Sequence, residues 1–367
     1  MKTRVSIVRC RAYDPREVQT AAGKAFELLG GISSFVKKGE RVIVKPNILS
    51  GRGPEHGVNT HIEVVRAVVK LVKQCGAQPV IADNPGGSIS AKDAYESSGM
   101  AAVANEEGAE LGETKAVRMV KGLSISSYFF ECDKIISVPK MKTHSLMCLT
   151  GAIKNMYGAV SGLNKTQCHK RFPAPEEFAS VLIDVFEAVQ PHLVLMDGVI
   201  AMHGDGPAAG QLKDAGLLVA GQDSVAVDSV FSCLAGIDPF DILTTKEANR
   251  RGLGEIDLDN IEIAGEGLEE SFIRGFKLPR TSVAMNLPGP VVKALASFVK
   301  FGPYINERLC KKCMVCQETC PVSAITIDEK RSRIDYQLCI RCMCCHEVCP
   351  YKAIELKRNI LARVLGL

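Results

Sequence analysis

Two short cysteine runs near the end of this 367-residue chain constrain its fold more than any other feature. Residues 310–321 read CKKCMVCQETCP and residues 339–350 read CIRCMCCHEVCP, so both fit C-x2-C-x2-C-x3-C-P. Similar tails follow, PVSAITI and PYKAIEL, which makes the segment an internal repeat with an offset of 29 residues (339 minus 310). At this spacing three thiolates wrap around one face of an iron–sulfur cubane, and the fourth points to a second cluster.

The runs therefore predict two 4Fe-4S clusters whose ligands cross between the runs. We expect one cluster to take Cys310, Cys313, Cys316 and Cys349, and the other to take Cys339, Cys342, Cys345 and Cys320. The alternative is a structural zinc site, but zinc favours two CxxC pairs separated by a longer spacer. Cys344 matches no position of the motif, so we expect a spare side chain, a residue that perturbs the second cluster, or a further ligand for it.

The distribution of cysteine also indicates the compartment. Nine of the 15 cysteines lie between Cys310 and Cys349, whereas a secreted disulfide scaffold is short and rich in cysteine throughout. The first residues, MKTRVSIVRC, reach charge too soon for the apolar core of a signal peptide. We therefore expect a cytoplasmic protein with a metal-binding module. No run approaches the ~20 apolar residues that span a bilayer, so we expect no membrane span.

Composition argues against a nucleic-acid partner. The 45 Lys and Arg against 41 Asp and Glu give a formal charge of +4. Two oxidised clusters with their thiolates, each carrying about −2, would cancel that excess. Trp is absent and aromatic residues make up 5% of the chain, which removes the stacking platforms that single-stranded nucleic acids need.

From residue 1 to about 280, short apolar runs alternate with helical patterns, which predicts an α/β domain with a mostly parallel sheet and flanking helices. The predicted strands are 4–8, 41–44, 79–82, 134–138, 193–196, 216–220 and 261–264. Several Gly and Pro residues interrupt 281–305, where we place a linker. Residues 306–356 form the predicted cysteine-rich domain, and 357–367 the C-terminal tail.

Polar residues follow the predicted strands, at the edge where open parallel sheets bind ligands. The candidates for ligand binding are Lys45, Asn47, Lys140, Lys142, Lys154, Asn155 and Asp197, and those for proton transfer are His144, His203 and Asp205. Lysines gathered at one sheet edge would bind a phosphate or a carboxylate. The alternatives are that the lysines are solvated, or that the aspartates pair with them or cap helices; a metal held by these aspartates is less favoured. No dinucleotide or P-loop motif is present.

The ordered motifs KPN, PKMKTH, TGAIKNMYG, MDG with HGDGPAAG, and GQDSVAVD resemble a bacterial and archaeal family known as domain of unknown function three-sixty-two. Its members are often fused to a C-terminal two-cluster ferredoxin, and residues 306–356 resemble bacterial-type two-cluster ferredoxins. The resemblance implies an α/β domain joined to a small α+β ferredoxin-like domain, with iron–sulfur redox use, commonly in anaerobes. It supplies no reaction.

Three functions fit these observations. The leading hypothesis is an oxidoreductase in which two 4Fe-4S clusters pass single electrons to or from an anionic substrate or cofactor in the α/β domain. The second is an electron carrier or maturation factor whose large domain docks a protein partner and performs no chemistry. The third is a binding protein with structural clusters. The expected partners are a redox protein or a small anionic substrate, and the sequence does not indicate the oligomeric state.

Overall fold

The computed structural model describes residues 2–87, 89–162, 164–282, 301–329 and 331–358. The strands are β1 (Thr3–Arg9), β2 (Arg41–Pro46), β3 (Gln78–Ile81), β4 (Glu110–Leu111), β5 (Val117–Val120), β6 (Leu123–Ser126), β7 (Lys134–Val138), β8 (Lys140–His144), β9 (Cys148–Thr150), β10 (Leu193–His203), β11 (Gln211–Gly221), β12 (Ile261–Gly265), β13 (Phe301–Ile305), β14 (Ile325–Ile327), β15 (Ser332–Ile334) and β16 (Ile354–Arg358). The helices are α1 (Pro15–Glu27), α2 (Ile62–Gln74), α3 (Ala91–Ser97), α4 (Met100–Glu107), α5 (Tyr128–Glu131), α6 (Ala152–Asn155), α7 (Asn164–Arg171), α8 (Pro175–Ala188), α9 (Ser224–Leu234), α10 (Leu243–Arg250), α11 (Leu268–Ser271), α12 (Val315–Glu318) and α13 (Cys344–Val348).

The large domain is built on one mixed sheet with the strand order β12-β1-β11-β10-β7-β2-β3-β4. Within the described part of this path, β11 runs antiparallel to its neighbours and the other pairs are parallel. β8 pairs with β10, and β9 pairs with β8. The mostly parallel α/β sheet expected from the sequence is confirmed, and each of the seven predicted strands is a strand of this sheet.

Alternate residues of the strands face opposite sides, and helices cover both. In β2, Val42 and Val44 pack into a core with α1 and α2, while Ile43 packs into a second core with α8. A third core joins β1, β10 and β11 to α9. Because both faces of the sheet are covered, a ligand site is expected at the edge formed by the ends of its strands.

The segment KMKTH is a strand, although the sequence predicted a polar loop there. All five residues of β8 are buried, and Lys140 and Lys142 align with Asp197 and Met202 of β10. β10 also continues through Asp197 to His203, where the sequence predicted a loop. The cause is tertiary structure. These polar residues look like a loop in the sequence, but strand pairing and buried counter-charges from elsewhere in the chain stabilise them inside the sheet.

The C-terminal domain contains two antiparallel strand pairs, β13 with β16 and β14 with β15, and the short helices α12 and α13. This is the predicted small α+β domain. The pairing corrects two boundaries: 301–305 belongs to this domain and not to the linker predicted at 281–305, and Lys357 and Arg358 extend β16 into the tail predicted at 357–367. The rest of the predicted linker, 283–300, and of the tail, 359–367, lies outside the described residues.

In the part of the chain that the structure describes, no helix combines the length and apolarity needed to cross a membrane.

Candidate functional site at the contact between the domains

A cavity of about 90 Å³ lies where the large domain meets the C-terminal domain. The large domain contributes the segments after β2 and β3, together with α6 and α7, and the other wall comes from the ends of α12 and α13. The polar residues that the large domain contributes to the lining are Asn47, Asp83, Asn84, Thr150, Lys154, Asn155, Lys165, Thr166 and His169. The C-terminal domain contributes Thr319, Cys344, Glu347 and the apolar Val348. Three residues predicted for ligand binding, Asn47, Lys154 and Asn155, are therefore brought together here, next to Cys344.

Lys154 lines this cavity, and its ammonium group makes no hydrogen bond or ion pair with any residue that the structure describes. Burial lowers the pKa of Lys154, and the Glu347 carboxylate partly opposes that shift. The residue lies in α6, whose first backbone N–H groups, at Ala152 and Ile153, donate to the carboxylate of Asp228 at 2.6 and 3.0 Å. Asp228 thus orients the short helix that presents Lys154.

Glu347 projects from the C-terminal domain towards His144, with 3.0 Å between Oε1 and Nε2. Nδ1 of His144 accepts from the backbone N–H groups of Leu146 and Met147, both at 3.1 Å, so the neutral ring carries its hydrogen on Nε2. The contact with Glu347 is close but is not aligned as a hydrogen bond. Burial lowers the pKa of His144 to about 4. Burial also opposes ionisation of Glu347, but the contact with His144 and the charge of Lys154 outweigh it and keep the pKa of Glu347 below its ordinary value.

Lys165 and His169 reach the cavity from α7. The ammonium of Lys165 donates to the backbone carbonyls of Asn84 and Pro85, and burial lowers its pKa to about 8. Burial lowers the pKa of His169 to about 4, and its ring stacks on Phe178 with centroids 4.0 Å apart. Sequence reasoning did not select these two residues, because the polar run NKTQCHKR is typical of a solvated helix.

Lys45 is held in an ion pair beneath the cavity. Its Nζ lies 2.7 Å from Oδ1 of Asp83 and 3.3 Å from Oδ1 of Asn155, and the pair is almost fully buried. A Cβ at Gly158 would lie 1.8 Å from Asp83 Oδ1 and 2.6 Å from Lys45 Nζ, so only glycine fits against this pair. The counter-charge of Asp83 offsets the lysine charge that the sequence assigned to ligand binding.

Lys140 and Lys142 lie in β8 and do not line the described cavity. Nζ of Lys140 donates to Asp197 at 2.8 Å and to the hydroxyl of Tyr13 at 2.6 Å. Nζ of Lys142 donates to the carbonyl of Val58 at 2.7 Å, and burial holds its pKa well below the usual value, with the charge of Lys154 adding to the effect. The four predicted lysines therefore do not form one cluster, and Lys154 alone among them lines this cavity.

His203 is the last residue of β10, Asp205 lies in the loop that follows, and neither lines the cavity. Nδ1 of His203 accepts from the backbone N–H of Lys277 at 3.1 Å, and the carboxylate of Asp205 lies 3.1 Å from the guanidinium of Arg280. The carbonyl of Asp205 is 3.1 Å from Nε2 of His346 in the C-terminal domain. This loop therefore contributes to the contact between the domains.

The cysteines predicted as ligands fall into two groups. A smaller cavity is lined by Cys320, Cys339, Cys342 and Cys345, together with Cys344. Of the other set, Cys310, Cys316 and Cys349 pack in the core of this domain. Burial raises the pKa of Cys316 to about 12, and the charges of Cys349, Cys313 and Cys310 add to the shift. The crossed assignment of these cysteines to two clusters stays a prediction.

These groups suit 4Fe-4S clusters. The backbone N–H groups of Ala324 and Ala353 donate to the sulfurs of Cys320 and Cys349, each at 3.2 Å, and hydrogen bonds to sulfur are one of the means by which proteins set cluster potentials. Among the described side chains, no three His, Cys, Asp or Glu residues are grouped to hold a single metal ion. Four thiolates are the donor set of such a cluster.

Comparison with known families agrees with this architecture. Residues 42–232 match the model described as "Domain of unknown function (DUF362)", which covers just over half of the chain. The chain belongs to this family. Residues 309–358 match the model described as "4Fe-4S dicluster domain", so the protein is an iron–sulfur protein of the electron-transfer type.

Two individual proteins are similar to this chain. The thylakoid-associated protein sll1697 of Synechocystis sp. is 32% identical over 256 residues, which cover 68% of this chain and 79% of that protein. The lactate racemase apoprotein from Thermoanaerobacterium thermosaccharolyticum is 12% identical with a TM-score of 0.40, covering 65% of this chain and 58% of its own length.

Proposed function

We propose that this protein is an iron–sulfur oxidoreductase that binds a small anionic substrate or cofactor in the cavity between its domains. Its eight motif cysteines hold two 4Fe-4S clusters in the crossed sets given above. Bound clusters of this type exchange single electrons with neighbouring groups. One observation carries the proposal: Lys154 and Lys165 of the large domain line the same cavity as Cys344 and Glu347. The latter two residues belong to the helix of the second cysteine run.

The cavity offers the charge that an anion needs. Lys154 lacks a partner among the described side chains, whereas Asp83 is already paired with Lys45 and Glu347 contacts His144. A phosphate or carboxylate near Lys154 would replace water around a half-buried ammonium, which is a favourable exchange in a partly desolvated site. Asn47 adds an amide group to the same wall and would orient the anion.

Proton delivery is assigned to the cavity histidines in this proposal. The ring of His169 lines the cavity, and Nε2 of His144 lies 3.0 Å from Oε1 of Glu347, which also lines it. His203 and Asp205, which the sequence suggested for the same task, act instead as positioning residues at the domain contact. The proposal places the protein in the cytoplasm, where its thiols stay reduced.

The test is binding of inorganic phosphate and of a panel of small carboxylates under anaerobic conditions. We expect the Tm to rise with the logarithm of ligand concentration, corresponding to about 2.7 kcal/mol at a hundred times Kd. Lys154→Met keeps the aliphatic stem but removes the charge, so it should abolish the increment, and Lys24→Met at an exposed lysine should leave it unchanged. The ligand should also shift the electron paramagnetic resonance signal of the reduced clusters.

A Tm that ignores every anion, or an increment that survives Lys154→Met, would reject the substrate site. Intact clusters that still exchange electrons with a protein under those conditions would favour the second hypothesis, an electron carrier or maturation factor without chemistry of its own.

A further inference from the structure

The two halves of the cysteine repeat share their local backbone. Positive φ angles occur at Lys312 (53°), Met314 (64°) and Ser323 (52°) in the first half. The residues 29 positions later repeat them: Arg341 (57°), Met343 (65°) and Lys352 (51°). Differences between matched positions therefore reflect surroundings and not local fold.

The surroundings differ sharply. Met314 is 45% exposed, whereas its counterpart Met343 is 5% exposed. Cys313 is exposed, while its counterpart Cys342 is half-buried. In the first run, Cys313 and the adjacent Met314 thus reach the protein surface.

The second run is the one turned towards the large domain. Three consecutive residues of that run reach the large domain. His346 contacts Asp205, Glu347 contacts His144, and Val348 lines the cavity. Cys344 lines this cavity and also the smaller cavity that it shares with Cys320, Cys339, Cys342 and Cys345. The cluster of the second set would therefore serve the cavity, and the cluster of the first set would face solvent.

The exposed surface around the first run combines apolar and basic side chains. Leu309 and Met314 are each 45% exposed, next to exposed Arg308 and Lys311 and half-buried Lys312. We call these five residues the first-run face. The acid at the start of this loop, Glu307, is engaged through Oε1, which accepts from the backbone N–H of Ser332 at 2.7 Å.

We propose that an acidic protein carrying a one-electron cofactor docks on the first-run face and exchanges electrons with the cluster held by Cys310, Cys313, Cys316 and Cys349. The three cations complement an acidic partner, and two exposed apolar side chains supply a dry centre for a small transient interface. In each transfer towards the cavity, the carrier loses one electron and this cluster gains it, and the electron then moves to the second cluster. The inference rests on the clusters of the proposed function but not on its substrate.

The test uses the anaerobically purified full chain and photoreduced flavodoxin, an acidic one-electron carrier protein, as the probe. Stopped-flow absorbance measures the second-order rate of cluster reduction at several ionic strengths. Lys311→Glu with Lys312→Glu should slow the reaction about tenfold at low salt and flatten its salt dependence, because steering between opposite charges is lost. Photoreduced deazariboflavin, a small neutral reductant, should reduce this variant at the wild-type rate.

The repeat supplies a matched control. Leu309→Asp lies on the first-run face, and Leu338→Asp changes its counterpart in the second half, which is 53% exposed. We expect the first substitution to slow reduction by flavodoxin several-fold and the second to leave it unchanged. Equal effects of the two substitutions, no effect of charge reversal, or equal slowing with deazariboflavin would each overturn the assignment of the docking face. A failed anion-binding test would leave these results unaffected.

Discussion

At the scale of single residues, two buried lysines are each paired with an aspartate, whereas the buried Lys142 donates to the carbonyl of Val58. Lys45 and Lys140 are both fully buried, and each is matched by an aspartate at 2.7 and 2.8 Å. A buried ammonium without such a partner would lose its proton or destabilise the fold. This is why two lysines that look like ligand groups in the sequence act within the framework instead, and why Lys154 is distinct.

Asp228 gives a prediction at this scale. Burial raises its pKa from 3.8 to about 7, although two backbone N–H groups favour the charged form. Between about pH 4 and about pH 7 the unfolded chain has released a proton that the folded chain retains, so the free energy of unfolding should fall as the pH rises through this window. Asp228→Asn should lack this contribution.

Anaerobic urea unfolding at several values between about pH 5.5 and about pH 8 measures the effect. The stability difference between the wild type and Asp228→Asn should shrink towards higher pH. Asp214→Asn at an exposed position of β11 is the control and should follow the wild type. A difference that is independent of pH would show that Asp228 is ionised throughout.

At the scale of elements, sequence patterns identified the apolar framework and missed the polar strands. The seven predicted strands were Val-, Ile- and Leu-rich runs, which are typical of strands covered on both faces. β8 escaped because Lys140, Lys142 and His144 are buried only through partners elsewhere in the chain. The same limit applies to the cavity: α7 looks solvated, and nothing local marks Glu347 as the residue that enters the other domain.

The crossed cysteine sets lead to a prediction about the repeat. Cys320→Ser should damage the cluster of the second run, although the residue belongs to the first run, because its sulfur lines the cavity with Cys339, Cys342 and Cys345. Cys349→Ser should damage the other cluster. Iron and sulfide analysis with electron paramagnetic resonance of the reduced variants distinguishes the two signals.

Loss of the signal local to each substituted run would contradict the crossed assignment. Val315→Ala, which changes the first-run counterpart of Cys344, is the control and should retain both clusters.

At the scale of the whole molecule, Glu347 links the domains. It contacts His144, while its counterpart in the first half, Glu318, is exposed. Glu347→Ala should lower the free energy of unfolding by about 1–3 kcal/mol, the usual cost of removing one member of a buried polar contact. The variant should melt at a lower temperature and exchange amide hydrogens faster in α6 and α13.

Glu318→Ala serves as the matched variant for this experiment and should change neither measurement. If both substitutions lower the Tm equally, the effect is not specific to the domain contact.

The repeat also has a use beyond the chemistry of its thiols. The second half contacts the large domain, whereas Met314 and Cys313 of the first half are exposed to solvent, yet the two halves share matched backbone angles. Each position in the enclosed half therefore has a twin that reports how the same backbone behaves when it is left alone. The first half therefore serves as an internal reference. Comparing matched positions in the two halves measures how the large domain influences cysteine chemistry within a single chain.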